Sequence, residues 1–177
     1  MELKELFLRR RSVRSYRPGT LDEKVLRELI EDARLAPSWK NTETARSYVA
    51  CTPEAVEKVR ACLPEYNAKS TANASAYIVS SFVKNLAGYG ENGPSNELGN
   101  RVGEYDLGLY HAYLILKAAD LGLDSLIMGI RDAKALRELL GIPENEEISM
   151  VLALGYRDDK EVTLRPRKPA DEIAKFF

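Results

Sequence analysis

Between Glu104 and Leu121 the chain carries a helical stretch whose apolar residues do not keep to one side. Leu107, Leu109, Tyr110, Tyr113, Leu114, Ile115, Leu116 and Ala118 occupy more than one face before Gly122 ends it. A helix that is apolar around most of its circumference has to be buried on most sides. In a chain of 177 residues, one domain alone leaves such a helix a wet face, so the pattern predicts burial against a second subunit, and hence a dimer. His111 falls in line with Leu107, Leu114 and Ala118 and reads as a core or interface histidine rather than a catalytic one.

The remaining segments alternate in type around this helix. Thr20 with Glu23 three residues on has the form of a capping box, and Val25, Leu26, Leu29, Ile30 and Ala33 then recur at helical spacing, predicting a helix over 22–35 that stops before Pro37. Ser47 to Cys51 reads as a strand, Thr52-Pro53 opens a helix with proline in its favoured first position, and Ala76 to Val83 is a second strand. Asp124 to Ile130 is a third strand. Asp132 caps a helix that runs through Leu139 and Leu140 to Gly141, and Ile148 to Tyr156 is the last strand. Alternating strands and helices indicate an α/β or α+β sandwich around a central sheet, with residues 1–177 as one domain. Residues 85–105 are rich in Gly and Asn, show no apolar period, and read as a lid or binding loop, with Tyr89 and Tyr105 placed to cover a planar ligand. The tail from 158 to 177 forms no amphipathic unit of its own and is expected to wrap a neighbouring subunit.

Chemistry enters with two basic groups at opposite ends of the chain. A short helix containing Leu3, Leu6 and Phe7 delivers Arg9-Arg10-Arg11-Ser12-Val13-Arg14, and Arg165, Arg167 and Lys168 follow near the other end. Guanidinium groups bind phosphate through paired hydrogen bonds and a serine hydroxyl adds a donor, so the two groups could grip one phosphate from opposite sides. Taken alone, a charge run of this kind is also compatible with solvated surface. A nucleic-acid interface is not indicated, because 26 basic residues are offset by 27 acidic ones for a formal charge of −1. The apolar runs are far short of a membrane span, and the composition predicts a cytoplasmic protein. Cys51 and Cys62 are not spaced as a metal knuckle or redox pair, and a single histidine leaves no multi-histidine metal site.

The order of motifs resembles the nitroreductase family. The similarity runs through Arg10-Arg11-Ser12-Val13-Arg14-Ser15-Tyr16, Ala36-Pro37-Ser38 with Asn41, the helix with Asp106 and Gly108, Gly122-Leu123, Ile127-Met128-Gly129, Leu139-Leu140-Gly141-Ile142-Pro143, Leu152-Ala153-Leu154-Gly155-Tyr156 and Arg165-Pro166-Arg167-Lys168-Pro169.

The resemblance implies a central mixed, mainly antiparallel sheet flanked by helices in an intertwined homodimer that binds FMN. It implies that Arg10, Arg11 and Ser12 hold the FMN phosphate and ribityl chain together with Arg165 and Arg167, and that Arg14 lies near the pyrimidine edge as electrostatic support. Pro37, Ser38 and Asn41 would meet the ring from the other subunit, and a backbone N–H at Met128 or Gly129 would reach flavin N5. No side chain would be the catalytic acid or base. The implied activity is hydride transfer from NADH or NADPH through the flavin to a small-molecule acceptor such as a nitroaromatic or quinone, by a ping-pong mechanism. The alternatives are a flavin-binding or sensing protein with little turnover, and a specialised offshoot such as a reductive dehalogenase or flavin-consuming enzyme. One departure stands out: Thr42, Glu43, Thr44 and Ala45 follow Asn41 where many relatives have Gln, Pro and an aromatic, and an inward Glu43 carboxylate would oppose an anionic ring.

Overall fold

The computed structural model describes residues 2–160 and 162–177. Its centre is a five-stranded sheet built on one long strand. That strand, β7 (Glu146–Arg157), pairs antiparallel with β3 (Ala76–Val83), with β6 (Asp124–Met128) and with the two-residue β1 (Tyr16–Arg17). The edge strand β2 (Ala45–Ala50) pairs antiparallel with β3. Among the described residues the single parallel element is an isolated bridge between Ser12 and Ser125.

Strand alternation sorts the core into two layers. Tyr77, Val79, Val151 and Ala153 face one side with Leu126 and Met128, against Val59 of α3 (Pro53–Ala61) and Leu136 of α6 (Ala133–Leu140). Ile78, Leu152 and Leu154 face the other, against Leu26 and Leu29 of α2 (Glu23–Ala33) and Leu107 and Leu114 of α5 (Arg101–Asp120). Because both faces are covered, seven of the eight residues of β3 are buried.

Local signals set the helix ends, with two differences from the sequence reading. Thr52 accepts the Ala55 N–H at 3.2 Å, Asp132 accepts that of Ala135 at 3.0 Å, and Gly141 closes α6 at φ 63°. Helix α2, however, is capped by Asp22, whose carboxylate accepts the Lys24 N–H at 2.8 Å, and not by Thr20. A carboxylate next to the first turn is the nearer acceptor and also suits the helix dipole. The reciprocal box lies instead at Glu2 and Glu5, opening α1 (Leu3–Arg9).

The second difference is the segment expected to be a lid. It is built rather than open: a hairpin of Tyr89–Gly90 with Gly93–Pro94 fills it, and α5 begins at Arg101. Its base is stapled by the Asn85 N–H to Asn100 Oδ1 at 2.7 Å and by Asn100 Nδ2 to Asn85 Oδ1 at 3.0 Å. Tyr105 is exposed on α5, and neither it nor Tyr89 lines the cavities described below. His111 is buried in α5, as its alignment with Leu107 and Leu114 requires. Tyr113 and Tyr105 leave that helix with exposed aromatic surface. Among the described residues no helix is long and apolar enough to cross a membrane, and no group of acidic, histidine and cysteine side chains could hold a metal ion.

Candidate functional site

Val13 fixes the first basic segment to the sheet. Its side chain is fully buried and its N–H donates to the Ser125 carbonyl at 3.1 Å. Neighbours in an extended segment point to opposite sides, so Ser12 and Arg14 face outward, and both are exposed. Just upstream, Arg10 and Arg11 are half-buried at the end of α1, where the Arg10 N–H donates to the Leu6 carbonyl at 2.9 Å.

The opposite wall is the chain leaving β7. Arg157 is locked to Asp124, and beyond it the Asp158 carboxylate accepts the Ser15 hydroxyl and, at 3.0 Å, the Lys160 N–H. Lys160 Nζ lies 3.2 Å from Ser15 Oγ. These contacts lace the tail to the arginine segment. Between the two walls is a cavity of about 790 Å³ lined by Arg10, Arg11, Ser12, Arg14, Arg165 and Arg167 among others. The two basic groups read from opposite ends of the sequence therefore share one cavity. Lys168 stays outside it, 3.9 Å from Glu172.

The cavity is strongly positive. Five arginines (Arg10, Arg11, Arg14, Arg165 and Arg167) and Lys160 face a single lining carboxylate, Asp158. Among the described residues, no carboxylate lies within ion-pair distance of Arg10, Arg11, Arg14, Arg165 or Arg167. Burial holds the Arg10 guanidinium below its ordinary range, and the charges of Arg11 and Arg167 push it further down. The Ser15 hydroxyl holds Asp158 below the usual carboxylate range, against a smaller effect of burial. Uncompensated guanidinium groups at this spacing repel one another, and a phosphomonoester, with about two negative charges and three acceptor oxygens, answers that imbalance. The volume also suits a cofactor-sized ligand.

A second structure involves the other predicted residues. The loop from Ala36 to Thr44 contains a short 3-10 turn (Trp39–Asn41) and three non-glycine residues with positive φ: Lys40 at 46°, Asn41 at 55° and Glu43 at 47°. Such conformations persist only where surroundings over-determine them. Here Asp106 of α5 accepts the Trp39 N–H at 2.9 Å, Ser38 Oγ accepts the Glu43 N–H at 3.0 Å, and the Thr42 hydroxyl donates to the Trp39 carbonyl at 2.7 Å. Burial raises the Asp106 carboxyl while the Trp39 N–H opposes that rise. Pro37 and Ser38 line a separate cavity of about 130 Å³ together with Glu43, Arg46, Asp106 and Tyr110.

Within one chain, then, Pro37, Ser38 and Asn41 are not brought to the basic cavity, and neither Met128 nor Gly129 lines it. Met128 is buried opposite Val151 at the end of β6. The Glu43 carboxylate accepts from Asn41 Nδ2 at 2.7 Å, while Arg46 donates to the backbone carbonyls of Glu43 and Ala45, each at 2.8 Å. Sequence reasoning missed Ser15, Asp158 and Lys160 as parts of the cavity, and Asp106 as the anchor of the loop. The one usable signal was Asp106 itself, a carboxylate within an otherwise apolar stretch of helix.

Residues 8–156 match the model of the nitroreductase family. The chain is 29% identical over 169 residues to a protein of Archaeoglobus fulgidus named "Putative NADH dehydrogenase/NAD(P)H nitroreductase", with 90% of this chain and 88% of that protein covered. Its fold is similar to that of a nitroreductase family protein from Streptococcus pneumoniae, with a TM-score of 0.86, 22% identity and coverage of 99% of this chain and 100% of the other. It is also similar to an oxidoreductase containing FMN, with a TM-score of 0.77, 24% identity and coverage of 90% and 79%.

Proposed function

The chain belongs to the nitroreductase family, and we propose that it is an FMN-dependent oxidoreductase carrying electrons from NADH or NADPH to nitroaromatic, quinone or related acceptors. The observation that carries this reading is the cavity in which Arg10, Arg11, Ser12, Arg165 and Arg167 converge without carboxylate partners among the described residues. When bound, FMN supplies the redox chemistry, taking a hydride at N5 and passing it on.

The chain's own residues bind and orient. Arg10, Arg11 and Arg167 hold the phosphate with the Ser12 hydroxyl, and Arg165 closes the site from the tail. Arg14, next along the same strand-like segment, provides the positive charge that favours extra electron density on the pyrimidine side of the ring. At the end of β6, a backbone N–H at Met128 or Gly129 would hydrogen-bond flavin N5. In a homodimer, Pro37, Ser38 and Asn41 of each subunit reach the ring held by the other, and the Asp106 anchor keeps that loop in its strained shape. The exposed aromatic surface of α5 and its apolar circumference support the dimer.

The test is the visible spectrum of the purified, desalted protein with and without added FMN. Flavin bands that bleach anaerobically on adding NADH or NADPH are the expected result. A protein that remains colourless after incubation with FMN would refute the assignment.

A further inference from the structure

The turn that follows β6 is clamped by a side chain with no part in the basic cavity. Arg131 donates through one terminal guanidinium nitrogen to the Gly129 carbonyl at 2.6 Å and through the other to the Ile148 carbonyl. Strand β6 pairs with β7 only as far as Met128 opposite Val151. Ile148 lies beyond the end of that ladder, and the guanidinium supplies a donor there in place of a strand. The rest of the turn is held separately: Asn67 Nδ2 donates to the Ile130 carbonyl at 3.2 Å and the Asp132 N–H to the Cys62 carbonyl at 2.9 Å. The clamp therefore acts on residue 129 itself, a glycine, whose backbone is otherwise the freest of any residue. On one side of the Gly129 N–H the ladder fixes Met128, and on the other Arg131 fixes the Gly129 carbonyl. Because peptide groups are planar, the direction of that N–H is set from both sides.

We propose that Arg131 is a positioning residue, which aims the Gly129 N–H at flavin N5 by clamping the Gly129 carbonyl to β7. This rests on the FMN reading above and selects Gly129 over Met128 as the donor. Leu126 and Met128 point into the core, so Ser125, Ile127 and Gly129 share the opposite face of the strand. Ser125 is bridged to Ser12 of the phosphate grip, and Gly129 follows roughly 13 Å along the same strand, at the end where the ring lies once the phosphate is held at Ser12. Gly129, Ile127 and Ile130 are exposed, which leaves a backbone donor between two apolar side chains, a surface that a flat ring can cover. A donor directed in advance at the atom that takes up hydride needs no reorganisation during the transfer. Without the clamp, Gly129 can turn its N–H away.

The test is amide hydrogen exchange at Gly129 with and without FMN, in the wild type and in the Arg131→Gln and Arg131→Lys variants, beside FMN titration and the rate of anaerobic bleaching by NADH. In the wild type, FMN should slow exchange at Gly129 by about tenfold or more. Arg131→Gln should lose that protection and bleach about tenfold more slowly, with FMN affinity changed by less than about threefold because the phosphate grip is intact. Arg131→Lys keeps the charge and a donor and should recover part of both effects. If Arg131→Gln does not fold, the lysine variant carries the same comparison. An FMN-loaded wild type without protection at Gly129, or variants that keep it, overturns the positioning role and leaves the flavin reading intact. Loss of FMN from both variants also overturns it, by assigning Arg131 to cofactor retention. A wild-type protein that takes up no FMN overturns both readings together.

Discussion

Asp124 and Arg157 are joined at three points: the carboxylate accepts both the Arg157 backbone N–H at 3.1 Å and its Nε at 2.9 Å, and Oδ1 takes a terminal guanidinium nitrogen. Asp124 begins β6 and Arg157 ends β7, and Arg157 also reaches the Arg9 carbonyl at 3.4 Å. The pair thus ties the strand beside the arginine segment to the strand that leads into the tail. Asp124 is buried whereas Arg157 is 32% exposed. Asp124→Asn should therefore destabilise the protein by about 3 kcal/mol, the low end for one-sided loss of a buried pair, read from urea unfolding. Removing both charges together should cost less than that single change.

Arg167 is predicted to act oppositely on stability and on binding. Its charge opposes that of Arg10, so Arg167→Ala relieves repulsion in the protein without cofactor and should leave its unfolding free energy unchanged or raise it by up to about 0.5 kcal/mol. FMN affinity should fall by roughly tenfold or more, as expected for loss of one charge-assisted phosphate contact. Thermal denaturation and fluorescence titration with FMN measure the two effects separately. A fall in stability of the FMN-free variant would contradict the repulsion argument.

His111 predicts a pH dependence. Burial alone lowers its pKa from 6.5 to about 4, so between those values the unfolded chain binds a proton that the folded one refuses. Stability from this group is fully present above pH 6.5 and is lost as pH falls towards 4, with a total on the order of 3 kcal/mol. His111→Gln should show a flatter stability profile than the wild type over pH 4–7. The comparison cancels the carboxylates that titrate in the same range.

Asp106 anchors, by accepting the Trp39 N–H, the loop in which Lys40, Asn41 and Glu43 adopt left-handed conformations. Asp106→Ala removes the acceptor and should cost about 1–2 kcal/mol, with the effect concentrated in the loop. Hydrogen exchange should accelerate for the amides of Trp39 and Glu43, while those of β3 remain protected. Uniform acceleration throughout the sheet would mean that Asp106 supports the core and not the loop.

The elements that could be read from sequence are those with strong local signals. Ala76–Val83 was legible as a mostly apolar run of strand length, Pro53 and Gly141 as punctuation, and His111 by its alignment with leucines. The start of α5 was not, because Gly103 reads as a loop residue but serves close packing: a Cβ there would lie 2.7 Å from Phe82 Cδ2. The role of a glycine as clearance for a residue so distant in the chain is a tertiary fact. The same holds for the cavity. Arginine and serine types were visible at both ends of the chain, but the Ser15, Asp158 and Lys160 contacts that join those ends depend on the two segments meeting beside β6 and β7. The hairpin at Tyr89–Pro94 was hidden by its length, since two-residue strands carry no measurable alternation. Asn41 is of a type that tolerates the left-handed region, but for Lys40 and Glu43 that backbone conformation has no sequence signature.

The shared cavity also orders events during biosynthesis. Arg10 and Arg11 are made before every strand of the central sheet, whereas Arg165 and Arg167 follow only after all of those strands. The sheet is therefore made in full before the cradle is, and the two walls of the cavity can meet only once translation has passed residue 167.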